Sequence, residues 1–430
     1  MKKPIPLSLR AWRSLSSLLR PSATPFLMWR AGKGKEERGR IGERRGESTM
    51  LRPDGRLIWM HGASVGETVS LLPLIERLVQ RGFPVLVTSG TVTSARVLEK
   101  RLPAGAVHQF VPLDLPAFAA RFLDHWQPDL ILITESELWP NMIAAASERG
   151  TPMIMVNGRM SQRSFARWSR FRPLAAALLS RFDLCLAQSE DDGRRLAALG
   201  APRVAVTGNL KFDVLPPPAD PMKVSSLSGL IGDRPVWMAA STHPGEEDIL
   251  FAIHRVLVPH FPGLVTIIAP RHPHRGEEIA LGAQNYGLHA ARRSQGLLPD
   301  GATDIYIVDT VGELGLFYRV APLVFMGGSL VPHGGQNPIE PGKLGAAILH
   351  GPHIWNFTDV FAALDTAGGS MEVQDAKDLA QTASDLLWDT ARLREMARSA
   401  HETVNKLGGA ADRTLLELEP YLIQMHLDGS

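Results

Sequence analysis

The chain contains a single cysteine, Cys185. An internal disulfide framework is therefore excluded, and the usage fits a reducing compartment. No Cys/His cluster has zinc-ligand spacing; the regions around His61 and His243 supply one or two candidates each, which argues against a structural metal. A bilayer-spanning run is missing too. Within residues 1–30, Arg10, Arg13, Arg20 and Pro21 interrupt the apolar residues well short of the ~18 needed to cross. No small-residue cleavage site follows a signal-like core. Neither a Walker lysine loop nor a G-x-G-x-x-G fingerprint occurs, which counts against an ATPase and an NAD enzyme. Internal repeats and low-complexity segments are absent as well.

What is present is ordinary in bulk and uneven in charge. At 430 residues, 44% hydrophobic and 21% charged, the chain reads as a soluble-type globular protein of two domains. The net charge of +2 conceals a basic arm: residues 1–47 carry 12 Lys/Arg against 4 Glu, or +8, and leave −6 for the rest. Such an arm suits a polyanion, either membrane phosphates or nucleic acid. Leu7, Leu9, Trp12, Leu15, Leu18 and Leu19 interleave with Arg10, Arg13 and Arg20, and Phe26–Trp29 follow. This pattern predicts a segment lying in a membrane interface; a core-packing helix before a disordered basic linker is the plainer alternative.

From Leu57 onward, apolar runs alternate with helical patterns. Leu57–Met60, Val85–Ser89, His108–Pro112, Leu130–Thr134, Met153–Val156 and Leu184–Gln188 read as parallel strands, with a helix over Gly66–Gln80 broken or kinked at Pro73. Leu215–Pro221, rich in proline, reads as a stiff extended linker. The pattern then restarts with Val236–Ala240, Leu264–Ala269, Ile305–Val308, Leu323–Met326 and Ala347–Leu349. The expected organisation is an arm over 1–49, an α/β domain over 50–214, a linker over 215–224 and a second α/β domain over 225–430. The last stretch, Asp412–His426, is placed to pack back on the first domain. Two such domains leave a cleft between the carboxyl ends of their strands, where open α/β sheets build their sites.

Chemistry-bearing residues gather after the strands. His61–Gly62–Ala63–Ser64–Val65–Gly66–Glu67 is a small-residue turn entering a helix, and Glu67 is either a proton acceptor or a plain helix-start acid. Glu135 and Glu137 follow the Leu130–Thr134 run. Lys211 stands before the linker, where it would counter charge on a phosphate leaving group or simply pair with Asp213. In the second half, Ser241–Glu247, Pro270–Arg275 and Gly327–Leu330 leading into Asn337–Glu340 give hydroxyls, amides and a guanidinium suited to phosphate, with a carboxylate for ribose. Together they predict a nucleotide pocket.

With these motifs in order, the chain resembles the Kdo (3-deoxy-D-manno-octulosonic acid) transferases of lipopolysaccharide synthesis over about Gly39–Leu422. The likeness is carried by His61-x-x-Ser64–Val65–Gly66–Glu67, Thr134–Asn141, Gly208–Asp213, Ser241–Glu247, Pro270–Arg275, Gly312–Leu314, Gly327–Leu330, Asn337–Glu340 and Gly351–Phe357. The resemblance implies an α/β GT-B glycosyltransferase fold and inverting transfer of Kdo from CMP-Kdo to a lipid A precursor (lipid IVA). It places the enzyme at the cytoplasmic face of the inner membrane, without a cofactor or metal. Carried over by motif, Glu67 is the general base, and Glu135 and Lys211 stabilise the transition state. Pro270, Arg271, Gly312, Glu313, Leu314, Asn337, Pro338, Ile339 and Glu340 contact CMP. The implied partners are CMP-Kdo, the lipid A precursor and the anionic inner-membrane surface, with no nucleic acid. Two other classes stay open: a GT-B-fold sugar-nucleotide epimerase, and a non-catalytic membrane-surface binder.

Overall fold

The computed structural model describes residues 5–427, so Lys2 and Lys3 of the basic arm lie outside it. The chain divides into two compact units, residues 1–214 with 407–430, and residues 215–406.

The first unit is built on seven strands: β1 (Ile58–His61), β2 (Val85–Ser89), β3 (Ala106–Phe110), β4 (Leu130–Thr134), β5 (Met153–Gly158), β6 (Leu184–Ala187) and β7 (Val204–Val206). They form one sheet in the order β3-β2-β1-β4-β5-β6-β7, every pair parallel. Central strands are buried on both faces, which is why they read as continuous apolar runs. Met60 lies between Val87 and Leu132 in register. The strand order reverses between β1 and β4, and at such a point a crevice opens beyond the carboxyl ends.

The helix after β1, Val65–Gln80, runs through Pro73 without the break that was one of the two expected outcomes, a break or a kink. Leu71, Leu72, Leu74, Ile75 and Leu78 are buried around the proline. Burying a Leu or Ile contributes about 1.5–3 kcal/mol, so five together outweigh the ~3 kcal/mol a mid-helix proline costs.

The basic arm is not a separate piece. Helices Leu7–Ser17 and Arg20–Gly32 belong to the first unit, with Leu9 at 2% and Leu27 at 0% exposure. Ser16 shares a buried hydrogen bond with Asn141, whose Nδ2 donates to Ser16 Oγ at 3.1 Å. Residues 36–47 cover the β3 edge: Glu43 accepts the Phe110 N–H at 2.7 Å, and Glu36 pairs with Arg30 and Arg44. No described helix is long and apolar enough to cross a membrane.

The second unit repeats the plan with β8 (Val236–Thr242), β9 (Val265–Pro270), β10 (Ala290–Arg292), β11 (Ile305–Ile307), β12 (Leu323–Met326), β13 (Ala347–His350) and β14 (Ser370–Glu372). Their order is β10-β11-β9-β8-β12-β13-β14, again parallel throughout, with the reversal between β8 and β12. The extended linker is shorter than the expected 215–224. A helix, Pro221–Ile231, starts inside it, because Asp220 caps the Met222 N–H at 2.9 Å and Pro221 takes the first helical position, where no N–H is needed. Upstream, the Pro217 carbonyl oxygen lies 2.2 Å from where a Cβ on Gly315 would stand, so the linker packs on a bare backbone. The closing helix, Ala410–Leu427, buries Leu415, Leu418, Leu422 and Met425 in the first unit's core.

Candidate active site

At the reversal of the first sheet, β1 delivers His61 and the turn leading to Glu67. Ser64 caps the helix: its Oγ accepts the Glu67 N–H at 3.3 Å and donates to Glu67 Oε1 at 2.7 Å, while the Ala63 N–H donates to Oε2 at 2.9 Å. With Glu67 reaching back past the cap to the Ala63 amide, this reciprocal pattern is a variant of the capping box. Glu67 therefore does serve the helix start, and that same bonding fixes its carboxylate, half-exposed, beside the turn. Each carboxylate oxygen keeps a further acceptor site.

From β4 comes Glu135, whose backbone φ of +56° is a left-handed value rarely adopted by a residue with a side chain. Lys211 Nζ donates to Glu135 Oε1 at 3.1 Å. The alternative pairing of Lys211 with Asp213 is not made. Asp213 instead accepts the N–H groups of Gly409 at 2.6 Å and Ala411 at 2.5 Å, tying the closing helix down. Asn157, at φ +53° near the end of β5, accepts the Leu210 N–H at 2.9 Å and so positions the turn bearing Lys211. Burial raises the Glu137 carboxyl above its usual range; the Trp139 indole N–H, donating at 2.6 Å, opposes this, and the charges of Glu67 and Glu135 add to the rise. Glu137 thus senses two further carboxylates, one of which, Glu135, is paired with Lys211.

His61 is buried with its ring against Trp139, centroids 5.1 Å apart. Burial lowers its pKa to about 4, so it is neutral at physiological pH. Its Nδ1 bonds to Thr88 Oγ1 at 2.9 Å, whereas Nε2 has no partner among the described residues.

In the second unit the segments expected to hold CMP follow β9, β11 and β12, on three strands of one sheet. Pro270 ends β9, and the Arg271 N–H donates to the Thr242 carbonyl at 3.0 Å, leaving an exposed guanidinium with no acid paired to it among the described residues. Gly312 adopts φ +87° before the short helix Leu314–Tyr318. The Glu313 carboxylate is occupied: Arg293 donates to it through Nε at 3.1 Å and Nη2 at 2.7 Å, and Thr310 Oγ1 at 2.6 Å. The Arg293 bond chiefly holds its pKa down to about 2. Asn337 accepts the Ile339 N–H at 3.0 Å across Pro338. Glu340 lies on helix Ile339–Lys343, which packs against Leu314–Tyr318, and its charge adds to the rise that burial imposes on Tyr318.

The glycine turn after β12 departs from expectation. Its amides do not face an open phosphate site, because buried Glu246 takes them: Gly328, Ser329 and Leu330 donate to its carboxylate at 2.8, 3.2 and 3.2 Å, and His243 N–H at 2.9 Å. The protein's own anion fills that nest. Around it stands a histidine group unforeseen in the sequence. His243 stacks on His333 with centroids 4.2 Å apart, and His272 lies 6.3 Å away. Burial, then the charges of His333, His272 and Arg271, lower His243 to about 4. These contacts join loops 30 to 90 residues apart, roughly, beyond the reach of any local spacing rule. Among the described residues no group of three or more His, Cys, Asp or Glu is arranged to hold a metal ion.

Two Rossmann-like units of this topology give the chain a GT-B fold. A glycosyltransferase from Rickettsia africae superposes with a TM-score of 0.58 at 13% identity, covering 86% of this chain and 98% of that one. That likeness speaks to fold alone. At the sequence level, the profile of the 3-deoxy-D-manno-octulosonic-acid transferase (kdotransferase) family matches residues 37–214. A probable mitochondrial 3-deoxy-D-manno-octulosonic acid transferase from Arabidopsis thaliana is 37% identical over 92% of this chain and 91% of its own length. The 3-deoxy-D-manno-octulosonic acid transferase of Haemophilus influenzae is 34% identical over 96% and 99%. The chain belongs to the Kdo transferase family.

Proposed function

We propose that this enzyme transfers Kdo from CMP-Kdo to the glucosamine disaccharide of a lipid A precursor, with inversion at the anomeric carbon. The observation that carries the reading is the Lys211–Glu135 pair, held past the strand reversal to which β1 also delivers the Glu67 turn, in a chain alignable almost end to end with Kdo transferases. The Glu67 carboxylate accepts the proton of the acceptor hydroxyl as its oxygen bonds to the anomeric carbon. The bond from that carbon to the phosphate oxygen breaks, and CMP leaves with the electron pair. Lys211, held by Glu135, offsets the charge that develops. Arg271 and Asn337–Glu340 hold the nucleotide, with Glu340 on ribose hydroxyls. Because the Glu313 carboxylate is already bonded, Gly312–Leu314 contacts the nucleotide through its main chain.

The arm supplies the setting. Its inner face is buried, while Leu7, Trp12, Leu15, Leu18, Leu19, Phe26, Met28 and Trp29 stay exposed beside Arg10 and Arg20. We read this as an in-plane attachment to the anionic cytoplasmic face of the inner membrane. Product analysis after mixing the protein with CMP-Kdo and a tetraacylated lipid A precursor tests the function. Kdo-bearing lipid together with free CMP is expected. Conversion of soluble sugar nucleotide without lipid would replace the reading with an isomerase, and inert mixing with a binding protein.

A further inference from the structure

Lys211 owes its place to a turn of three residues, Leu210–Phe212, too short to hold a side chain by itself. The surrounding chain holds the turn instead. Leu210 is wholly buried in the core shared by the helices Val65–Gln80 and Ala410–Leu427, and its N–H is taken by Asn157 Oδ1 at 2.9 Å. The closing helix supplies two further holds. Gly409, the residue before that helix, has no side chain with which to cap it. Asp213, 196 positions away, does so: its Oδ1 accepts the Gly409 N–H and its Oδ2 that of Ala411.

The other hold is Arg413. Its Nε donates to the Thr207 carbonyl at 2.8 Å and its Nη2 to the Gly408 carbonyl at 3.2 Å. One guanidinium thus bridges the chain just before Lys211 and the loop just before the closing helix. A cation so near a helix start opposes the macrodipole, and the two carbonyl bonds offset that cost. Two glycines leave room for it. A Cβ on Gly208 would stand 2.7 Å from Nη2, and one on Gly409 3.0 Å from Nη1. Both glycines have left-handed backbone, at φ +87° and +80°. The placement adds a second constraint. The chain leaves the first unit after Val214 and re-enters it at Leu407, so both connections to the second unit start from this clamp. A displacement carried along either connection meets Asp213 or Arg413 before it reaches Lys211.

We propose that Arg413 and Asp213 are positioning residues for Lys211, acting on the reaction only by holding its ammonium beside Glu135. The proposal rests on the transferase reading above.

The test is a double-mutant cycle in the full chain, with CMP-Kdo and a lipid A precursor. Arg413→Ala should lower kcat roughly tenfold to a hundredfold, the scale set by a small misplacement of a catalytic group. Acceptor KM and CMP affinity should stay within about twofold of wild type. In a Lys211→Ala background the same substitution should cost less than about twofold, because nothing is left to position. Arg413→Lys, one ammonium for two carbonyls, should recover part of the loss. Asp213→Asn, which turns one acceptor into a donor facing an N–H, should follow the same pattern. Should that variant fail to fold, Arg413→Ala still decides, since Arg413 lies at an exposed position. Lys211 itself gives a second readout. Its acylation by an N-hydroxysuccinimide ester, read by mass spectrometry against Lys100, should quicken about fivefold in Arg413→Ala as the turn opens locally. An undiminished loss from Arg413→Ala in the Lys211→Ala background would overturn the proposal and assign the clamp to the fold at large. Unchanged Lys211 labelling would overturn it as well. Absence of Kdo transfer by wild type would instead sink the transferase reading, and the labelling would still decide on the clamp.

Discussion

Three non-glycine residues with left-handed backbone, Glu135, Asn157 and Ser241, stand at the carboxyl ends of β4, β5 and β8. Such conformations cost about 1–3 kcal/mol each and persist where the surroundings enforce them, commonly at sites. Ser241 leads into the loop of His243 and Glu246; Glu135 meets Lys211. At this scale the nucleotide contacts give the first prediction. Arg271→Ala and Glu340→Ala should each weaken CMP binding roughly tenfold by calorimetry, through loss of a charge-assisted contact and a hydroxyl contact. Unchanged affinity in both would move the pocket elsewhere. The second concerns pH. His61 titrates at about 4 in the fold against 6.5 when unfolded, chiefly through burial. The unfolded chain therefore takes up the proton first, and stability present above pH 6.5 is lost as pH falls towards 4, on the order of 3 kcal/mol from this residue. Denaturant melts across that window should show the loss, and His61→Gln should flatten it. His108 and His243, lowered to about 3 and about 4, and His254, also lowered by burial, add to the slope in the same direction.

Among the elements, the arm changes most on passing from sequence to structure. Its leucines look alike in sequence, yet Leu27 is wholly buried and Leu18 is 75% exposed. The two should separate stability from membrane attachment. Leu27→Ala should cost about 2–5 kcal/mol in chemical denaturation. Leu18→Ser/Leu19→Ser should leave the melt unchanged and weaken binding to anionic liposomes, with a residue of binding that persists in high salt through Trp12 and Trp29. Equal liposome binding by that double variant would place the attachment on another face. Removal of residues 1–30 would strip Leu9, Ala23 and Leu27 from the core, so truncation is not a neutral way to detach the enzyme. Strands divide by position in a similar way. Central ones such as β2, β4 and β12 are readable to the residue, because burial on both faces demands unbroken apolar runs. Val204–Val206, Ala290–Arg292 and Ser370–Glu372 escaped notice; all three are three-residue strands at sheet edges, paired on one side only. A half-covered strand needs no such run.

For the whole molecule, the legible part of the site is what a loop carries in consecutive residues: Ser64–Glu67, Glu135–Glu137, Arg271, Asn337–Glu340. What joins distant loops was not legible. Lys211 meets Glu135 across 76 positions, Arg293 occupies Glu313 from 20 away, and Glu246 fills the glycine turn 82 or more residues on. Each of these depends on strand order, and strand order is a property of the folded sheet. The account's central claim is a division of labour, with the base on the first unit and the nucleotide on the second. It is tested most directly by measuring CMP affinity and Kdo transfer in one preparation of Glu67→Gln. Glutamine keeps the capping box and the helix start, but accepts no proton. The account predicts CMP affinity within about twofold of wild type and turnover reduced by roughly 10²–10⁴. Near-normal transfer by the glutamine variant would contradict it.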